Sequence, residues 1–144
     1  MGNCNIVGAF SSGGGGGGGA STAQYQQTST SFSTSNTSLT DITNYSITLP
    51  TTTAAEDDCL CMLSYTIKVN VSDAAYMALT KNTTVLTTQR TDLFQAGEAQ
   101  AGAIQFIADA DGDTLKAQTM TAGGNTVTIF ISSDNTPTLS AFAV

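Results

Sequence analysis

Three aspartates at alternate positions, Asp109, Asp111 and Asp113, form the one constellation in this 144-residue chain whose types and spacing could hold a ligand. Carboxylates two residues apart can converge from a tight loop and offer hard oxygen donors to a cation such as calcium. The same five residues, Asp-Ala-Asp-Gly-Asp, also spell a turn, because Asp111-Gly112 supplies the left-handed backbone that a short hairpin requires. The solvated hairpin is the plainer reading and the one taken. Calcium stands as its alternative, and no other cofactor is expected.

The spacing resembles the opening of an EF-hand loop but departs from it twice. The sixth position, which needs glycine, is Thr114, and the twelfth, which needs a bidentate glutamate, is Met120. Other chemistry is harder to assemble. The chain has no histidine, which removes the commonest general base, and neither a Ser-x-x-Lys nor a Gly-x-Ser-x-Gly arrangement occurs. Lys68, Lys81, Arg90 and Lys116 are scattered. A carboxylate pair for glycoside hydrolysis usually works beside aromatic platforms, and there is no tryptophan. No catalytic residue is assigned and no enzyme is expected. Glu56, Asp57 and Asp58 read as a solvated run. Cys59 and Cys61 sit too close along an extended strand to pair comfortably, and a zinc site would need the distant Cys4 and a further ligand, so buried free thiols are expected.

Only 10% of the residues are charged, and eleven acids against four bases give a net charge of -7. That sign disfavours partners that present phosphates, so neither nucleic acid nor an anionic membrane is expected as a target. The opening Met1-Gly2-Asn3-Cys4 has no basic leader followed by an apolar run, which points to folding in a cytosol. Ile6 stands where a myristoylation signal wants serine or threonine, so Gly2 and Cys4 are not read as lipidation sites. Sequons at Asn36, Asn44, Asn70 and Asn82 are expected by accident in so Ser/Thr-rich a chain.

The elements that must position these residues are strands. From Cys59 to Val71, apolar side chains hold one parity through Cys61, Leu63, Tyr65, Ile67 and Val69, which predicts a long strand with one buried face. Tyr45, Ile47 and Leu49 alternate likewise before Pro50 and give the first core strand. Ser72 and Asp73 could cap a short helix over 74–79, and 92–103 reads as a broken helix or a long loop. The remainder reads as a meander: Ile104, Phe106 and Ala108 on one strand, a hairpin at Asp111-Gly112, Leu115 and Ala117 on the return, then Val127, Ile129 and Ile131, then 138–144. The fold class is all-β, an antiparallel, jelly-roll-like β-sandwich over 41–144.

Residues 1–40 contain no charged side chain, and glycine fills every position from 13 to 19. Such a segment buries too little apolar surface to offset the entropy of ordering its backbone, so it reads as an extended Gly/Ser/Thr-rich N-terminal arm that gains order against a partner. Ile6, Val7, Phe10, Tyr25 and Phe32 are its anchors, with Gly13, Gly16 and Gly19 as contact residues. An uncharged glycine-rich arm on an antiparallel sandwich resembles the build of small tailed-bacteriophage virion proteins of the decoration, cement or fibre type. The resemblance implies a non-enzymatic structural protein of the virion, assembled in host cytoplasm. Its partner would be a capsid or other virion protein, and it would form a homo-oligomer, a trimer favoured. A fibre or tail-tip adhesin is the alternative, with 92–103 and 122–125 as its receptor-binding loops.

Overall fold

A computed structural model describes residues 24–27, 31–51, 58–130 and 137–144 of the chain. Among these residues ten strands run in order: β1 (Gln24–Gln27), β2 (Phe32–Thr34), β3 (Thr40–Thr48), β4 (Asp58–Val69), β5 (Asp73–Lys81), β6 (Thr84–Leu93), β7 (Ala99–Asp109), β8 (Thr114–Thr121), β9 (Val127–Ile129) and β10 (Thr138–Ala143). The long alternation becomes β4, whose inward side chains Cys59, Cys61, Leu63, Tyr65, Ile67 and Val69 are all buried. It ends two residues earlier than the pattern suggests, and Val71 lies exposed in the following turn.

Strand β4 organises the first sheet. It pairs with β7 along its whole length, Asp58 opposite Asp109 through Lys68 opposite Ala99. Its other edge is shared: β10 pairs with Cys59 to Ser64 and β9 with Ile67 to Val69, so β9 and β10 lie end to end in one row. Beyond them, β1 pairs with β10 and β2 with β9 in a fourth row. The second sheet runs β3-β8-β5-β6, antiparallel throughout. With rows counted along the chain, the sheets read 1-8-3-6 and 2-7-4-5, which is the strand order of a jelly roll. One apolar core lies between the sheets, with Tyr45, Leu49, Met77, Leu79, Leu115, Ile129 and Leu139 among its fully buried members.

Four sequence expectations are corrected. Residues 74–79 are strand, not helix. Strand β5 is the inner strand between β6 and β8 and is buried on both faces, so Ala75, Met77 and Leu79 and also Ala74 and Ala78 lose contact with water. A doubly buried strand shows neither a period of 2 nor one of 3.6, and its alanines and leucine then mimic helix composition. Residues 92–103 hold the end of β6, a short turn and the start of β7. The last forty residues are no meander, because β7, β9 and β10 belong to the first sheet and β8 to the second. Asp111-Gly112 is therefore a crossing between sheets rather than a hairpin, although Gly112 does adopt the left-handed backbone, φ 78°. Lastly, the sandwich begins before residue 41, since β1 and β2 supply its first row from within the segment read as arm.

Gly102 sits opposite Tyr65 in the β4–β7 ladder, and a Cβ there would lie 2.4 Å from the buried tyrosine ring. The glycine thus admits the ring to the core rather than marking a loop. Gly102→Ala is expected to cost about 1–3 kcal/mol through overpacking. Urea unfolding checks this, and an unchanged midpoint would contradict it.

Candidate functional site

The three aspartates of 109–113 do converge, and the cation they meet belongs to the protein. Lys81 closes β5, while Asp109 ends β7 and Asp111 and Asp113 line the crossing that leads to β8. The Lys81 ammonium lies 2.6 Å from Asp111 Oδ2, 3.5 Å from Asp109 Oδ2 and 3.9 Å from Asp113 Oδ2. Asp111 also accepts the backbone N–H of Asp113 at 3.0 Å, which tightens the turn. The hydrogen bond from Lys81 holds the Asp111 carboxyl below its usual value, and the same bond raises the Lys81 ammonium above its own. No cluster of three or more His, Cys, Asp or Glu side chains suited to a metal occurs among the described residues. Gly112 packs against Thr51, whose methyl would lie 2.6 Å from an added Cβ, so the crossing is clamped on that side too.

A second carboxylate, Asp73, does more than the helix cap it resembles. It accepts the N–H of Ala74 at 2.7 Å, those of Gly123 at 2.9 Å and Asn125 at 3.3 Å, and the buried hydroxyl of Thr121. Burial opposes its charge, and these donors outweigh burial, so its carboxyl is held below the ordinary value. Asp73 thereby ties the turn between β4 and β5 to the one between β8 and β9. The pattern of an acid after serine did signal a backbone-capping carboxylate. What it caps is a pair of turns.

Glu98 acts similarly on the turn between β6 and β7. Its carboxylate accepts the N–H groups of Phe94 at 2.7 Å and Gln95 at 3.2 Å, and Gln100 donates to it at 3.0 Å. Gly97, at φ 79°, donates to the carbonyl of Val69. This built turn leaves Phe94 74% exposed. The two segments named as adhesin loops, 92–103 and 122–125, therefore both lean on the β4–β5 connection. A separate ionic contact joins Lys116 of β8 to Asp41 of β3 at 2.9 Å. It borders a shallow cleft of about 280 Å³ where β3 bulges around Asn44, whose φ is 65°.

Of the expected arm anchors, Ile6, Val7, Phe10, Gly13, Gly16 and Gly19 lie outside the described residues. Tyr25 falls in β1 opposite Ser140, and Phe32 falls in β2 opposite Ile129, half-buried against the core. Cys59 and Cys61 are buried and unpaired, and burial pushes the Cys61 thiol up to about 11. Sequence reasoning missed Lys81, which looked like one of several scattered cations. Its partner turn is brought to it by a crossing that no local pattern announces.

No family model matches the chain, and no curated protein matches it. Among solved structures, dimeric latent PorU from Porphyromonas gingivalis is similar over 92% of this chain and 14% of its own, with a TM-score of 0.45 and 13% identity. A likeness at that level carries no argument about function.

Two outcomes follow from this chemistry. A carboxyl held below its unfolded value contributes stability that is present above that value, near 3.9, and is lost as pH falls through the folded one. Asp73→Asn should therefore cost about 1–3 kcal/mol at pH 7, with the gap to the parent closing in acid. Denaturant unfolding across pH checks the sign. With the ammonium of Lys81 among the three carboxylates, calcium and a chelator should give the parent the same thermal midpoint. Lys81→Gln, which leaves three acids facing one another, should melt lower and recover part of the loss in calcium. A calcium shift of several degrees in the parent would restore the metal-site reading.

Proposed function

We propose that this chain is a non-enzymatic structural subunit of a virion, a decoration or cement protein that joins a capsid or a neighbouring copy through its N-terminal segment. The observation that carries the reading is the row order 1-8-3-6 facing 2-7-4-5, the jelly roll, an architecture shared by viral shells with lectins and cupins. The warrant is an analogy of fold, joined to a first row that is preceded by twenty-three uncharged residues with seven successive glycines. Such a segment can lie against another surface without placing a charge in the seam, and tethering raises its affinity through effective concentration. Several polar clusters have work inside the fold, since Asp111, Asp73 and Glu98 each hold a turn in place.

A fibre or tail-tip adhesin is the second reading. Phe94 favours it, as a 74% exposed aromatic on the turn whose backbone Glu98 holds. Aromatic side chains on fixed turns suit partner recognition because little entropy is lost on contact.

Truncation separates arm from core. A chain beginning at residue 24 should still unfold cooperatively, within a few degrees of the full chain, and lose the concentration-dependent mass increase that sedimentation velocity should show for the full chain. A chain beginning at residue 41 lacks the first row and should melt at least several degrees lower. Equal self-association of the full chain and the chain from residue 24 would count against arm-mediated assembly.

A further inference from the structure

The outer face of the first sheet carries an apolar row that the register aligns across three strands. Phe142 of β10 lies opposite Leu60 of β4, and Leu60 lies opposite Ile107 of β7. Phe142 is 41% exposed and Ile107 58%, with Leu60 half-buried between them. Met62, two residues along β4 on the same face, widens the row, and Val144, 69% exposed, extends it past the end of β10. The flanking partners Ser140 and Gln105 are polar, and Asp58 opposite Asp109 closes the row at one end. A contiguous apolar patch with a polar rim marks a contact surface, whereas singly scattered apolar residues do not.

Where the chain enters this sheet identifies the occupant. Strand β1 opens at Gln24, opposite Ala141, one position short of the level of Phe142. Residues 1–23 therefore join the sheet beside the row, and their large apolar residues Ile6, Val7 and Phe10 cluster near the far end. About 14 residues separate Phe10 from Gln24, half of them the glycines at 13–19. A glycine-rich tether of that length has a root-mean-square span of about 20 Å. From the β1 row to the β7 row is three strand spacings, about 14 Å. Tether and span match, which is the condition for high effective concentration, and glycine lets the chain reverse over its own sheet. The segment carries no acidic side chain that Asp58 and Asp109 would repel.

We propose that residues 6–10 of the N-terminal segment dock in cis on the Leu60–Ile107–Phe142 row, storing the arm on its own subunit until assembly exchanges it onto a neighbour. The inference rests on the reading of the arm as a contact element. Exchange of an identical segment between copies is a low-cost route from monomer to oligomer, since the same contacts are made in both.

The native Cys4, two residues before Ile6, tests this in the full chain. Ile107→Cys places a thiol in the row, and Val85→Cys places one at a 45% exposed position on β6 of the other sheet. Under mild oxidation, Ile107→Cys should form an intramolecular link to Cys4 at least tenfold faster than Val85→Cys does, read by peptide mass mapping of the monomer band. Phe142→Ser in the Ile107→Cys background should remove most of that advantage while near-ultraviolet circular dichroism stays native. Equal rates at the two positions overturn the docking. Links formed between chains overturn the cis arrangement and keep arm-mediated assembly. Absence of any link, with concentration-dependent assembly intact, sinks this proposal alone. Loss of both sinks the functional reading with it.

Discussion

From Cys59 to Val69, every second side chain of β4 is withdrawn from water, and the rest of the jelly roll is arranged to keep it so. Each large apolar side chain of that face contributes about 1.5–3 kcal/mol on burial, a gain available only if a second sheet covers the face and the flanking rows close its backbone. Strand β7 satisfies one edge along its full length. No single strand satisfies the other, so β9 and β10 divide it, and β1 and β2 divide the row outside them. The split rows are a consequence of β4 being longer than its partners on that side. They also place Gln24 to Gln27 in the sheet, where the segment extends the backbone ladder of β10.

Charge is sparse, and among the described residues much of it serves the connections. Asp73 joins two turns, Glu98 shapes a third, Lys81 and Asp111 fix the crossing between sheets, and Asp41 with Lys116 links β3 to β8. Exposed ion pairs are worth little, and Asp41 with Lys116 belongs in that class. Lys81 differs because its side chain is 17% exposed and its strand ends where the β7–β8 crossing passes. A backbone reversal between two sheets leaves polar groups that no ladder satisfies. Here Asn82 donates its N–H to the carbonyl of Thr114 and accepts that of Thr114 on its side-chain oxygen, beside the lysine. The acidic triad is thus one half of a clamp. Its resemblance to a calcium loop reflects the shared geometry of carboxylates turning inward on a positive centre.

How much was legible in the residues depended on whether the signal was local. The face of β4, the inward side chains of β7 and β8 and the closing strand all follow from alternation, which each residue carries with its neighbours. Alternation cannot say which sheet a strand joins. Leu115 and Ala117 face the core equally well from a hairpin partner of β7 or from the opposite sheet, and the presence of Asp-Gly tipped the reading to the wrong one. Strand β5 failed for a related reason: with both faces buried, Ala74 and Ala78 erase the period that would have distinguished it from a helix. Asp73 was read correctly as a carboxylate that captures backbone N–H groups and incorrectly as a helix cap, because three of its four donors lie about fifty residues away.

The same distinction governs what the fold says about function. Jelly rolls serve shells, lectins and enzymes, so the row order narrows the reading, and the segment before β1 and the side chains left over once folding is satisfied must choose within it. Here the carboxylates and ammonium groups that first suggested chemistry are occupied in holding turns. Left over among the described residues are the apolar row across β10, β4 and β7 and the exposed Phe94, and β1 is preceded in the sequence by an uncharged segment. A surface that withholds charge and exposes aligned apolar side chains suits contact with another surface. Glycine is costly to order and also admits backbone conformations closed to other residues, so for residues 13–19 the entropic penalty and the freedom of close approach have one origin.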